Sequence, residues 1–167
     1  KHHTLVALQA AGATTPLDFE AAPDTARWVV KPDDGAGAVA TLTFTNRAAA
    51  QINATQRRAA GETVTLEPWV AGEAMSLSLL VCPATATCEG RPSTASVELL
   101  SVNRQDIVLT AKGDVRFDGV HIGEAHPADP RLPALQRLAE QTVRALPGLC
   151  GFVGIDLVWH ATRGPVA

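Results

Sequence analysis

The stretch Trp28-Val29-Val30-Lys31-Pro32-Asp33-Asp34-Gly35-Ala36-Gly37-Ala38 constrains this chain more than any other. Trp and Val favour a pleated, half-buried strand. The strand reaches Lys31 and is expected to end before Pro32, which has no N–H to donate. Two carboxylates and a run of small residues follow. Gly35 and Gly37 carry no Cβ and accept positive φ, so backbone N–H groups there can approach an anion closely. With Lys31 as a fixed cation, Gly35, Ala36 and Gly37 form a candidate phosphate loop. No GK[ST] follows, so this is not the P-loop pattern. A strand, a proline turn and a plain surface loop would read the same way, and the partners elsewhere in the chain have to decide.

The chain has 167 residues, 46% of them hydrophobic and 19% charged. That is enough for one compact domain or two small lobes with a real core. The net charge is −3 and the basic residues are scattered, which argues against a nucleic-acid partner. No apolar run approaches the roughly 18 residues of a membrane span. Lys1-His2-His3 leads into an amphipathic stretch instead of a signal peptide. Cys82, Cys88 and Cys150 are too few for a disulfide framework and have no zinc-ligand spacing. They are expected as free thiols of a cytoplasmic protein, with Cys82 and Cys88 flanking a hairpin at 83–87. The chain starts at a lysine and stops at Ala167, so it is expected to be cut at both ends.

Apolar spacing predicts a helix over His3–Ala11 with Gly12 as its stop, and a short strand over Leu17–Glu20. Strands follow at Trp28–Lys31 and Val39–Thr43, then a helix at Ala48–Ala60, rich in good helix formers. From Glu62 the period falls to two. Strands are predicted from Val64, at Met75–Val81, Ala95–Val102, Ile107–Ala111 and Val115–Val120. Leu132, Leu135, Leu138, Ala139, Thr142, Val143 and Leu146 share one face of a helix over Pro130–Leu146, with Asp129 as N-cap and Pro130 at N1. Gly151–Trp159 reads as a central buried strand, since polar alternation is weak. The fold class is therefore α+β in two lobes, 1–67 and 68–167.

Three further clusters carry chemistry. In Glu67-Pro68-Trp69-Val70-Ala71-Gly72-Glu73, Glu67 can accept from an exocyclic amine, the Val70 N–H can donate to a ring nitrogen, and Glu73 can accept from ribose hydroxyls. The same residues could form a charged hairpin around a core tryptophan. Asp156 is one acid in an apolar strand, where a carboxylate must be paired or metal-bound; Mg²⁺ is held in this way with phosphates completing its shell. A loop-capping role is the plainer alternative. Ser101-Val102-Asn103-Arg104-Gln105 ends a strand with Arg104, which could hold an anion or simply be solvated. His121 and His126 read as surface loop residues, and His160 shows no partner.

In this order and spacing, the pieces resemble the ATP-grasp superfamily over nearly the whole chain. Lys1 through Gly12 to Pro16 looks like the family's first lysine and helix. Lys31-Pro32 with Gly35 and Gly37 looks like its V-K-P strand and glycine-rich flap. Glu67 to Glu73 is similar to E-x-(W/Y)-(I/V)-x-G-x-E, with Glu73 directly after Gly72 and so one residue ahead of that pattern's last acid, and Gly151 to Asp156 to G-x-x-x-(I/V)-D. The Ser101–Gln105 segment and short second lobe resemble small carboxylate–amine ligases of the tyramine–glutamate ligase kind. The resemblance implies two α/β lobes that clamp ATP. Lys1 and Lys31 would lie on phosphates under the Gly35–Ala38 flap, Glu67 and Val70 on adenine, Glu73 on ribose, and Asp156 on Mg²⁺. It implies an acyl phosphate formed from a carboxylate and attacked by an amine or thiol, with Arg104 on the transferring phosphoryl group. Small-molecule carboxylates and amines are the implied partners, and a homodimer is compatible. The family's E-x-N metal element and its preceding domain have no counterpart here, and Gly154-Ile155 stand where an arginine is frequent. A non-catalytic nucleotide-binding domain and a phosphotransferase on the same fold are the other functions that this pattern allows.

Overall fold

The computed structural model describes residues 1–22, 25–34, 37–83, 96–123 and 125–167. Helix α1 (His2–Ala10) and a 3₁₀ turn (Pro16–Phe19) precede β1 (Trp28–Pro32), β2 (Leu42–Phe44), α2 (Arg47–Ala59) and β3 (Val64–Pro68). Then come β4 (Glu73–Cys82), β5 (Ser96–Leu109), β6 (Val115–His121), α3 (Leu132–Ala145), β7 (Gly151–His160) and β8 (Gly164–Val166). The strands form two antiparallel sheets, ordered β2-β1-β3 and β6-β5-β4-β7-β8. No helix among the described residues is long and apolar enough to cross a membrane.

Each sheet buries one face under a helix. On the small sheet, Trp28, Val30 and Val64 pack on Ala50 and Ala54 of α2, where alanine lets helix and sheet approach closely. On the large sheet, Met75, Leu77, Leu79 and Val81 alternate along β4 and join Val102, Ile155 and Leu157 against Leu135, Leu138 and Ala139 of α3. Leu8 and Ala13 complete this second core, and Thr14 bridges Val166 of β8. The N-terminal segment thus packs on the large sheet, whereas the chain passes from small sheet to large between Pro68 and Glu73.

That passage depends on Gly72. Its φ is +156°, and a Cβ there would stand 2.2 Å from the Trp159 carbonyl oxygen. The sheets touch again at the β5–β6 turn, where the Thr43 N–H donates to Gly113 O (2.8 Å) and the Val115 N–H to Thr41 O (3.0 Å). A cleft remains between the sheets.

Several expected elements differ. Leu17–Glu20 is a 3₁₀ turn, not a strand, because Asp18 folds back to accept the Thr15 N–H at 2.8 Å with Pro16 in the first turn. Pro32 does not stop β1 but ends it in register with Val64. Ala38 and Ala40 adopt positive φ, so of the expected Val39–Thr43 strand only Leu42 and Thr43 pair, as part of β2. The two strands expected at Ala95–Val102 and Ile107–Ala111 are one, β5, which register shifts at Ser78/Leu79 and Asp106/Ile107 bend without breaking. The Ser101–Gln105 cluster therefore lies within a strand instead of ending it. Helix α3 begins after Arg131 as N-cap, not Asp129; Asp129 instead accepts the Arg131 N–H at 2.8 Å. The central strand is β4, and β7 lies beside short β8. Its apolar run reflects an uncovered face, since Phe152 is 72% exposed. Cys82 and Cys150 are exposed free thiols, while the 83–87 hairpin falls largely outside the described residues.

Candidate active site

The cleft between the sheets has a volume of about 1130 Å³, and Lys1, Lys31, Gly37, Glu67, Val70, Glu73, Arg104 and Asp156 all line it. Gly35 and Ala36 lie outside the described residues. Antiparallel pairing brings β1 and β3 together with Val29 opposite Glu67 and Lys31 opposite Thr65. The Lys31 ammonium meets Glu67 Oε1 at 2.5 Å, with the Glu67 side chain only 5% exposed. The other carboxylate oxygen, Oε2, is buried and has no hydrogen-bond partner among the described residues. An ionised oxygen left so is costly, and it fits a site whose donor arrives with a ligand.

Lys1 reaches the same wall from α1, where its Nζ donates to Pro32 O. Partial burial, followed by the nearby Lys31 charge, lowers its pKa against the pull of Asp33, Glu67 and Asp34. Two ammonium groups thus face one cleft, a setting that favours an anion between them. Val70 is buried and packs with Phe19 and Val166, which fixes the backbone that links the sheets.

On the large sheet, Glu73 opens β4. Its Oε2 accepts from Arg131 Nη1 at 2.6 Å, and Arg131 is held by Asp129 as well. Asp156 is exposed, with Oδ1 accepting from Gln105 Nε2 at 2.7 Å. Arg104 pairs in register with Met75, so its Cβ shares the face of the α3 core, whereas Gln105 turns to the side of Asp156. The Arg104 guanidinium donates to Asp106 at 2.6 Å, and Asp106 also meets His121 at 2.7 Å. The His121 bond, and next among the favourable effects the Arg104 charge, hold the Asp106 carboxyl below its ordinary range.

Sequence reasoning missed Arg131, which it placed inside a helix, and the Asp106–His121 pair. His121 ends β6 instead of lying in a loop. His160 does have partners: its Nδ1 accepts the Thr162 and Arg163 N–H groups at 3.3 and 3.2 Å, and its ring meets the edge of Phe19. The available signal was the short Asp129-x-Arg131 spacing, since acid and base two residues apart across a turn can chelate each other.

A nucleotide fits these residues, because the orphaned Glu67 oxygen asks for a donor such as an exocyclic amine and Lys1 and Lys31 stand beside it. Among the described residues no three His, Cys, Asp or Glu side chains gather to hold a metal ion. Asp156 offers one carboxylate, the number with which Mg²⁺ can be held when phosphates and waters supply the rest.

The family model of the ATP-grasp domain matches residues 1–166. No curated protein matches by sequence. Among solved structures, the L-amino acid ligase from Bacillus licheniformis is 20% identical with a TM-score of 0.66, over 98% of this chain and 37% of that one. The VanG D-Ala:D-Ser ligase from Enterococcus faecalis is 15% identical with a TM-score of 0.67, over 98% of this chain and 49% of that one. The D-alanine–D-alanine ligase from Bacillus anthracis, solved with ATP, is 12% identical with a TM-score of 0.61, over 98% of this chain and 52% of that one. The chain thus spans from about a third to about half the length of these proteins.

Proposed function

The chain belongs to the ATP-grasp family, and on that premise we propose that it supplies the nucleotide-binding part of an ATP-dependent carboxylate–amine ligase acting through an acyl phosphate. The observation that carries this reading is the Lys31–Glu67 pair with its orphaned buried oxygen, set in a cleft that Lys1, Glu73 and Asp156 also line. ATP would supply the phosphoryl group. Glu67 accepts from the adenine amine while the backbone at Val70 meets the ring edge. Lys1 and Lys31 neutralise phosphate charge under the flap at Gly35, Ala36 and Gly37. Glu73 receives the ribose hydroxyls, and Asp156 holds Mg²⁺ against the phosphates. Arg104 is the candidate for the transferring phosphoryl group, a role that requires its guanidinium to leave Asp106 and come round from the α3 face of the sheet. Catalysis in such a site is positioning and charge neutralisation, since the bond changes occur between substrates. The two sheets act as lobes closing on the nucleotide, in a cytoplasmic protein with small carboxylates and amines as substrates. The solved neighbours include L-amino acid and D-Ala:D-Ser ligases, which supports amino acids as the first class to try.

The test is ADP release by the full-length protein with panels of amino acids and amines. Wild type is expected to release ADP only when both a carboxylate and an amine are accepted. Lys31→Ala should lower that rate by about 100-fold or more. Undiminished turnover in the variant would remove Lys31 from the phosphate site. ATP binding with no ADP release from any pair would favour a non-catalytic nucleotide-binding domain, and transfer to an acceptor without ligation would favour a phosphotransferase.

A further inference from the structure

Among the described residues, the acids that contribute to the cleft lining are Glu67, Glu73, Asp106, Asp118 and Asp156. All but the last stand in ion pairs: Glu67 with Lys31, Glu73 with Arg131, Asp106 with Arg104 and Asp118 with Arg116. Asp156 differs. Its partner among the described residues is the neutral amide of Gln105, whose Nε2 donates to Oδ1 at 2.7 Å. An amide fixes a carboxylate by a hydrogen bond and leaves its charge uncompensated, whereas a cation does both at once. Asp156 is exposed, and its Oδ2 has no partner among the described residues.

The strand register explains how the glutamine reaches it. Ser76 of β4 pairs with Asp156 on one side and with Asn103 on the other. Its neighbours Met75 and Leu77 are buried under α3, so alternation puts Ser76, and Asp156 opposite it, on the cleft face. Gln105 lies two residues beyond Asn103 on β5 and shares that face. Strand β4 runs between β5 and β7, so the Gln105 side chain meets Asp156 only by crossing it. One step beyond the Met75–Arg104 pair the middle strand presents Ala74, which lines the cleft together with Gln105 and Asp156. A methyl group there leaves room for the amide to pass. Backbones two strand spacings of about 4.8 Å apart are thus joined by one hydrogen bond over a small residue.

We propose that Gln105 is a positioning residue that holds Oδ1 of Asp156, so that Oδ2 and the full negative charge stay available to a divalent cation. This rests on the Mg²⁺ role proposed for Asp156. Outer partners of this kind orient a metal-ligating carboxylate without touching the metal. Without Gln105 the carboxylate keeps its charge but not its aim, so the cost falls on metal affinity and not on the contacts of the nucleotide itself.

The experiment uses Mn²⁺ as the probe. Its retention by the full-length protein with ADP is read from the free-ion electron paramagnetic resonance signal, against ADP alone. Calorimetry gives the ADP affinity in EDTA. Gln105→Met is expected to weaken Mn²⁺ binding by about tenfold or more, with ADP affinity in EDTA unchanged. Gln105→Lys keeps a donor for Oδ1 but brings a positive charge, so its loss should be at least as large; it also serves if the methionine variant does not fold. Wild-type Mn²⁺ affinity in either folded variant would overturn the positioning role, and so would a parallel loss of ADP affinity in EDTA. Asp156→Asn separates the two roles, since it should weaken Mn²⁺ binding further whether or not Gln105 takes part. Unchanged Mn²⁺ binding in Asp156→Asn, or none in wild type beyond that of ADP alone, would overturn the Mg²⁺ role of Asp156 and the positioning role with it.

Discussion

Asp18 shows how much one side chain can settle locally. Its carboxylate accepts the Thr15 N–H at 2.8 Å and Gln9 Nε2 at 2.7 Å. Burial pushes its pKa up, but the Thr15 N–H, Gln9, the Thr15 hydroxyl and Arg163 together bring it below the ordinary 3.8. A carboxyl with a lowered folded-state pKa stabilises the fold above its unfolded value, and that contribution disappears as pH falls through the folded value. Asp18→Ala, which removes the acceptor for the Thr15 N–H, is therefore expected to cost about 1 kcal/mol at neutral pH and to flatten the loss of stability below about pH 4. Urea melts across pH 2.5–7 would check this; parallel curves for the two proteins would refute it. At the same scale Lys31, Glu67, Glu73 and Asp156 were legible as residues, because an acid or lysine beside an apolar strand needs a reason to be there. Arg131 was not, because its significance lies in a partner 58 positions away.

At the scale of elements, the junction from β3 to β4 is the most demanding. An alanine at Gly72 would place its Cβ 2.2 Å from a backbone oxygen of β7, and backbone cannot swing aside as a side chain can. Gly72→Ala is expected to lose about 2–3 kcal/mol, read as a lower midpoint with unchanged slope in denaturant. A midpoint within error of wild type would show that β4 and β7 can part there at no cost. Helices were legible from their apolar period because α3 places Leu135, Leu138, Ala139 and Thr142 on one buried face. Strand limits were less so. The chain from Ser96 to Leu109 is one strand because bulges absorb its misfit with both neighbours, and a bulge leaves almost no mark on composition.

For the whole molecule, two of the junctions between the sheets frame the cleft. One is covalent, through residues 69–72. The other is the β5–β6 turn on β2, where Gly113 has φ +90° and a Cβ would meet Thr43 O at 2.8 Å. Gly113→Ala should loosen this second junction while leaving both cores intact. Amide exchange at Thr43 and Val115, the two donors across it, is expected to quicken by about tenfold or more. Rates at Met75 and Leu77, in the large core, should not move. Unchanged exchange at Thr43 and Val115 would show that the sheets do not depend on this contact.

By itself the sequence determined the α+β class and most helices and strands, and it marked Lys31, Glu67, Glu73 and Asp156 as candidates for a nucleotide site. These follow from period, propensity and charge, which act over a few residues and survive without knowledge of the neighbours. Only the tertiary structure decided that α1 packs on the large sheet, that one oxygen of Glu67 is left buried and unpartnered among the described residues, and that Arg131 holds Glu73. Those outcomes depend on register and on which strand lies beside which. A one-residue change in pairing would turn each side chain to the opposite face, and nothing local in the chain records which pairing wins.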